Sequence, residues 1–156
     1  GLQQIADHMH ARSDVAALHL LSHGAAGMLE LGSTWLNSGN FGEYSEQLEV
    51  IGAAMAAGGD ILLYGCNAAE GAQGAVLLSG LARLSRADLA ASIDTTGAAD
   101  KGGDWQLERR TGVIETTALS LLDYRNLLVT PSDQSFDSEP PRYLTDCGGV
   151  PSEANG

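Results

Sequence analysis

Two side chains in this sequence have the chemistry of a nucleophile and its base. Cys66 follows the apolar stretch Ile61-Leu62-Leu63-Tyr64-Gly65, and His23 follows Leu18-His19-Leu20-Leu21-Ser22. A thiolate, not a thiol, attacks a carbonyl carbon, and an imidazole within reach removes the proton. Each reacting residue has a glycine beside it, Gly24 or Gly65, and glycine accepts the tight backbone turns such a site needs. The backbone N–H groups of Gly24 and Cys66 are the candidates for holding an oxyanion. Taken singly, each residue has a plainer reading, since a buried cysteine behaves as a small apolar side chain and a histidine beside glycine is a turn residue. Their joint placement is what points to chemistry. It requires the two segments to be neighbouring parallel strands, which lie about 4.8 Å apart and bring side chains at matching heights together.

The surrounding pattern supplies such strands. Leu2, Ile5, Ala6 and Met9 recur at helical spacing, and after Ser13-Asp14 an almost unbroken apolar run over residues 15–21 reads as a strand buried on both faces. Met28 to Leu31 and Thr34 to Leu36 flank Gly32-Ser33 as a hairpin. Residues 43–57 carry Tyr44, Leu48, Ile51 and Met55 on one helical face, with Gly58-Gly59 as the stop, and a strand follows over 61–64. A second long helix is expected over 71–85, a strand over 88–93, and a terminal β-hairpin from residues 105–108 and 113–116 flanking Arg109-Arg110-Thr111-Gly112. Strands alternating with helices require a parallel sheet with right-handed crossovers, so the expected class is α/β, doubly wound or three-layered. The chain starts at Gly1 inside a helical pattern, which predicts that a first strand is missing. All four prolines fall after residue 130 in a stretch without periodicity, so the expected organisation is one domain over 1–125 and a linker or disordered tail over 126–156.

Composition limits the partners. With 44% hydrophobic and 18% charged residues the chain belongs among globular domains, and 8 basic against 20 acidic residues leave a net charge of -12. That balance repels phosphate backbones and anionic lipid, so neither nucleic acid nor a membrane surface is an expected partner. No apolar run approaches the roughly 20 residues of a membrane helix. The two cysteines, Cys66 and Cys147, draw no disulfide framework or metal knuckle, and a bridge between them is the lesser expectation. No metal and no cofactor are expected. His8 and His10 point to different helical faces, His19 lies inside a strand as a hydrogen-bonded structural imidazole, and Asp100 and Asp104 lack the alternating carboxylates of a Ca²⁺ loop. Trp105 reads as a core residue, and Arg109-Arg110 as an ordinary basic turn that an Arg-specific peptidase could also cleave. Asp94, next after the strand ending at Ile93, is the candidate for recognising a basic substrate side chain; a turn role before Thr95 is its plainer reading.

The segments ending in Ser22-His23-Gly24 and Tyr64-Gly65-Cys66 resemble the His-Gly and Gly-Cys hallmarks of the caspase-like cysteine peptidases. More closely, Leu20-Leu21-Ser22-His23-Gly24, Leu29-Glu30-Leu31-Gly32, Gly59-Asp60-Ile61-Leu62-Leu63-Tyr64-Gly65-Cys66-Asn67 and Gly102-Gly103-Asp104-Trp105 resemble the bacterial DUF4347 domain, over roughly residues 1–124. The resemblance implies a caspase-like three-layer fold lacking its first strand and helix here. It also implies a place near the head of a very large secreted or surface protein. On this reading Cys66 attacks a peptide carbonyl and His23 handles protons, with the parent chain itself or another peptide as substrate. The competing expectation is a non-catalytic structural or targeting module of an adhesin-like protein. A serine hydrolase is excluded by the lack of a GxSxG elbow.

Overall fold

Residues 1–128 are described by a computed structural model. The apolar spacing at the start forms α1 (Leu2–His10), which buries Leu2, Ala6 and Met9. The next run forms β1 (Val15–Leu21), paired in parallel with β5 (Met55–Tyr64) so that Leu18 faces Ile61 and Leu21 faces Tyr64. Between them lie β2 (Gly24–Ala25), β3 (Met28–Leu31) and β4 (Thr34–Asn37), a small antiparallel sheet with its hairpin at Gly32-Ser33, and then α2 (Ser45–Ala54). Helix α3 (Gly71–Ser85) occupies the predicted span, and β6 (Asp88–Ala91) follows in parallel with β5.

The main sheet has the order β1-β5-β6-β7, where β7 (Arg109–Arg110) is antiparallel to β6. Both parallel connections advance in the same direction, and right-handed crossovers then leave their helices on one face. Accordingly α1, α2 and α3 share one apolar cluster with Leu18, Leu20, Ile61, Leu63 and Leu89. The other face carries Leu62, Tyr64, Cys66 and Ala90 and is covered by Leu107, Leu128, Trp105, Ile114, Leu119 and Tyr124. Its cover within the described residues is therefore a strap of irregular chain over 105–128.

Four expectations change. β1 is an outer strand and only half-buried, whereas β5, flanked on both sides, is buried from Gly59 to Tyr64. Helix α2 stops at Ala54 because Met55 is already extended, so Gly58-Gly59 falls within β5 rather than ending a helix. Strand β6 ends at Ala91, two residues before the predicted Ile93. The terminal hairpin does not form: Arg109-Arg110 pairs with Ala90-Ala91 at the sheet edge instead of capping a turn. The reason lies in the acceptors the sheet offers. Beyond β7 the strap is held by side chains, with the Leu89 N–H donating to Thr111 Oγ1 at 2.9 Å, the Glu115 and Thr116 N–H groups to Asp60 Oδ2 at 3.1 and 2.8 Å, and the Leu119 N–H to the Tyr64 hydroxyl at 2.8 Å. The Glu115 and Thr116 bonds satisfy backbone donors that a hairpin ladder would otherwise have used. Packing extends to Leu128, whose N–H donates to the Thr96 carbonyl at 2.9 Å. The predicted tail beyond it lies outside the described residues.

Candidate functional site

The two motif segments meet at the carboxyl rim of the sheet. β1 and β5 pair through Leu21 and Tyr64, and the Ser22 N–H extends the ladder by donating to the Tyr64 carbonyl at 2.9 Å. His23 and Cys66 thus stand two residues past register partners, and Cys66 lies on the sheet face of Leu62 and Tyr64. The crossing itself explains the glycines. A Cβ on Gly24 would lie 2.8 Å from the Gly65 carbonyl carbon, 2.9 Å from Cys66 O and 3.1 Å from Cys66 N. A Cβ on Gly65 would lie 3.0 Å from Leu29 Cδ2 and 3.4 Å from the Gly24 Cα. The Gly24 backbone therefore touches that of Gly65-Cys66, and the two candidate oxyanion donors belong to one patch of main chain.

A tight turn presents Cys66. Asn67 takes a left-handed φ of 60°, the Ala68 N–H reaches back to the Gly65 carbonyl, and the Asn67 and Ala69 N–H groups donate to the carbonyls of Asp94 and Ser92, each at 2.8 Å. The loop after β5 is thereby fastened to the loop after β6. Cys66 is 0% exposed. Its sulfur accepts the Thr96 N–H at 3.3 Å and sits among Leu62, Tyr64, Ala90, Leu107 and Leu128. It is disulfide-bonded and not a free thiol, and the chain's other cysteine, Cys147, lies outside the described residues. His23 is half-buried, its carbonyl accepts the Glu30 N–H at 2.9 Å, and its Nδ1 is buried without a hydrogen-bond partner. The His23 imidazole therefore keeps hydrogen-bonding capacity unspent among the described residues.

Asp94 lies on the same rim, exposed, with its carbonyl tied to Asn67 and its Oδ1 accepting the Ser92 hydroxyl at 3.2 Å. It belongs to an acidic group with Asp104 and Glu108, whose carboxylate oxygens lie within 4.8 Å of one another. Next to that group runs a groove of about 690 Å³, lined by Asp104, Leu107, Glu108 and Tyr124 among others. Leu107 lines the groove and belongs to the apolar cluster that holds Cys66. Neither His23 nor Cys66 lines this groove.

The remaining candidates fall outside the rim. His19 stacks on Tyr64 with 5.8 Å between ring centroids, and its Nδ1 lies 3.1 Å from the Tyr64 hydroxyl, the structural role expected of it. Burial pushes the Tyr64 hydroxyl above its ordinary pKa of 10.0, opposed by the Leu119 N–H bond. His8 meets Arg12 on an exposed surface, and Asp104 is engaged by Gln106. Trp105 packs against Tyr64 and Tyr124. The arginine pair is held in the sheet edge, with Arg109 Nη1 donating to the Gly71 carbonyl at 3.0 Å. Sequence reasoning missed Thr96, which is fully buried and closes over the sulfur. It lies 30 positions from Cys66 in a loop without periodicity, so no local signal marks it.

A family model described as a domain of unknown function, DUF4347, matches residues 1–128. No curated protein and no solved structure matches the chain.

Proposed function

The chain belongs to the DUF4347 family, and on that premise we propose that it is a cysteine peptidase-type domain of caspase-like kind, held latent. The observation that carries this reading is the contact of Gly24, next after His23, with Gly65-Cys66 at the carboxyl ends of neighbouring parallel strands. Such an arrangement suits a thiolate that attacks a peptide carbonyl carbon, an imidazole that takes the thiol proton and returns it to the leaving amine, and water that releases the acyl group. The amides of Gly24 and Cys66 are the oxyanion donors. The groove beside Leu107, with Asp94, Asp104 and Glu108 at its margin, is the peptide-binding surface, and its charge selects an Arg or Lys side chain. Before substrate reaches the sulfur, an external thiol must reduce the Cys66 disulfide by exchange, itself ending as a disulfide and leaving Cys66 as a thiol, and the Thr96 and apolar cover must be displaced. The substrate is the parent chain or a neighbouring peptide, and the setting is a large secreted or surface protein. A disulfide at Cys66 fits that setting, because disulfides persist in oxidising compartments.

A second reading is favoured by one observation, the complete burial of the sulfur. On it the His-Cys pair packs the rim of a non-catalytic module. One experiment separates the two. The chain is treated with a thiol reductant, labelled with iodoacetamide and mapped by mass spectrometry, alongside His23→Ala and, for the full-length parent, Cys66→Ala. The peptidase reading expects alkylation of Cys66 in the reduced native fold, at least about tenfold slower in His23→Ala, and parent cleavage that Cys66→Ala abolishes. A reduced native chain whose Cys66 alkylates equally slowly with and without His23, and whose parent stays intact, belongs to the module.

A further inference from the structure

We infer that Asp60, Asp88 and Glu115 form a site for a divalent, oxygen-seeking cation of the Ca²⁺ class, at the end of the strands opposite the His23-Cys66 rim. Asp60 and Asp88 are register partners on the adjacent parallel strands β5 and β6, so both carboxylates leave the same face side by side. Glu115 reaches them from the strap, and one oxygen from each residue lies within 4.8 Å of the others. Oxygens bound to one Ca²⁺ at about 2.4 Å can stand at most about 4.8 Å apart, so the three can share an ion.

An acidic group alone would be an ordinary feature of a chain with 20 acidic residues. The distinguishing observation is Asp60, which is 1% exposed. Its Oδ2 is used twice, by the Glu115 and Thr116 N–H groups, and its Oδ1 is buried with no hydrogen-bond partner among the described residues. A buried carboxylate oxygen without a donor is costly, and among the described residues none of the three carboxylates is ion-paired. A cation supplies both the missing charge and the missing contact. Asp88 is half-buried and Glu115 exposed, which leaves an open side for the water ligands that Ca²⁺ adds to a small set of carboxylates. The strap approaches closely enough that a Cβ on Gly112 would collide with the Asp88 carboxylate, so the ion would join strap to sheet. The Asp94, Asp104 and Glu108 group lacks this property: Asp104 receives both Gln106 donors and Glu108 the Ile93 N–H.

The site is independent of the peptidase reading. Its test is a thermal melt of the chelator-treated chain with and without CaCl₂, with calorimetric titration of CaCl₂ alongside. The expected result is a rise in Tm of about 4 °C or more at saturating CaCl₂. That rise disappears in Asp88→Asn and in Glu115→Gln, which alter partly or fully exposed carboxylates and leave the Asp60 bonds in place, and persists in Glu108→Gln. No heat and no shift in the parent chain, or an equal shift in Asp88→Asn and Glu115→Gln, overturns the assignment.

Discussion

The two ends of the central strands carry opposite kinds of polar chemistry on one sheet face. At the carboxyl end the Gly24 backbone packs against Gly65-Cys66, the Thr96 N–H bonds the sulfur, and Cys66 is fully enclosed. Toward the amino end, about 20 Å away at roughly 3.3 Å per residue between Asp60 and Cys66, three carboxylates converge under the same strap and one buried oxygen stays unpaired. The first end is closed by backbone contact and apolar cover. The second is closed only as far as Asp60 can supply acceptors to the strap. Both ends keep orphaned buried polar atoms, His23 Nδ1 and Thr96 Oγ1 at the motif-bearing rim and Asp60 Oδ1 at the other. A recognisable motif is thus not the only guide to where a folded chain keeps unsatisfied capacity.

Substitutions at each end should separate these two kinds of closure. The largest effect is expected at Asp60→Ala, which strips the acceptor from two strap N–H groups and should cost about 3 kcal/mol in the presence of chelator, read from urea midpoints. Because the damage lies at the amino end, alkylation of reduced Cys66 should be quickened only through general loosening of the strap. A loss below about 0.5 kcal/mol would mean that the strap is held by its apolar residues alone. Gly24→Ala comes next. Its methyl would press on Gly65 and Cys66 main chain, which has no flexible side chain to move aside, so a loss of about 2 kcal/mol is expected. The Ca²⁺ response should survive in Gly24→Ala; its disappearance would show that the two ends are coupled.

The smallest effect is expected midway, at Tyr64→Phe. The change removes the acceptor for the Leu119 N–H and the partner of His19 while keeping the ring, for a cost of about 1 kcal/mol at neutral pH. Its clearer signature is alkaline. Burial raises the Tyr64 pKa, so the folded chain holds the phenolic proton more firmly than the unfolded chain. That share of stability is complete below the ordinary value of 10.0 and is lost as pH rises above it. Urea midpoints of the parent chain between pH 9 and 11 should therefore fall more steeply than those of Tyr64→Phe. Parallel curves would show that Tyr64 ionises freely in the folded state.

Local pattern was enough for the parts of the fold governed by local physics. The span of α3, the hairpin at Gly32-Ser33, the strands leading to His23 and Cys66, and the structural role of His19 all follow from periodicity, turn residues and position in a strand. The blocks around His23 and Cys66 also sufficed to recognise the family. Where the sequence misled, a distant partner had decided the outcome. Residues 105–116 alternate like a hairpin, but the open edge of β6 captures Arg109-Arg110, while Asp60 and Tyr64 capture the N–H groups farther along. Gly58-Gly59 has the composition of a helix stop, yet Met55 and Asp60 both pair with β1, and the two glycines fall in the irregular stretch of β5 between them.

What the sequence determined by itself is that the imidazole and the sulfur each follow a strand and are each joined to a glycine, because strand and turn preferences act over a few neighbouring residues. That Thr96 and Leu107 cover the sulfur, and that Asp60, Asp88 and Glu115 gather at the other end, was decided by tertiary structure alone. Those groupings join residues tens of positions apart, and they come into being only when the strap folds back across the sheet and must find acceptors for its own backbone.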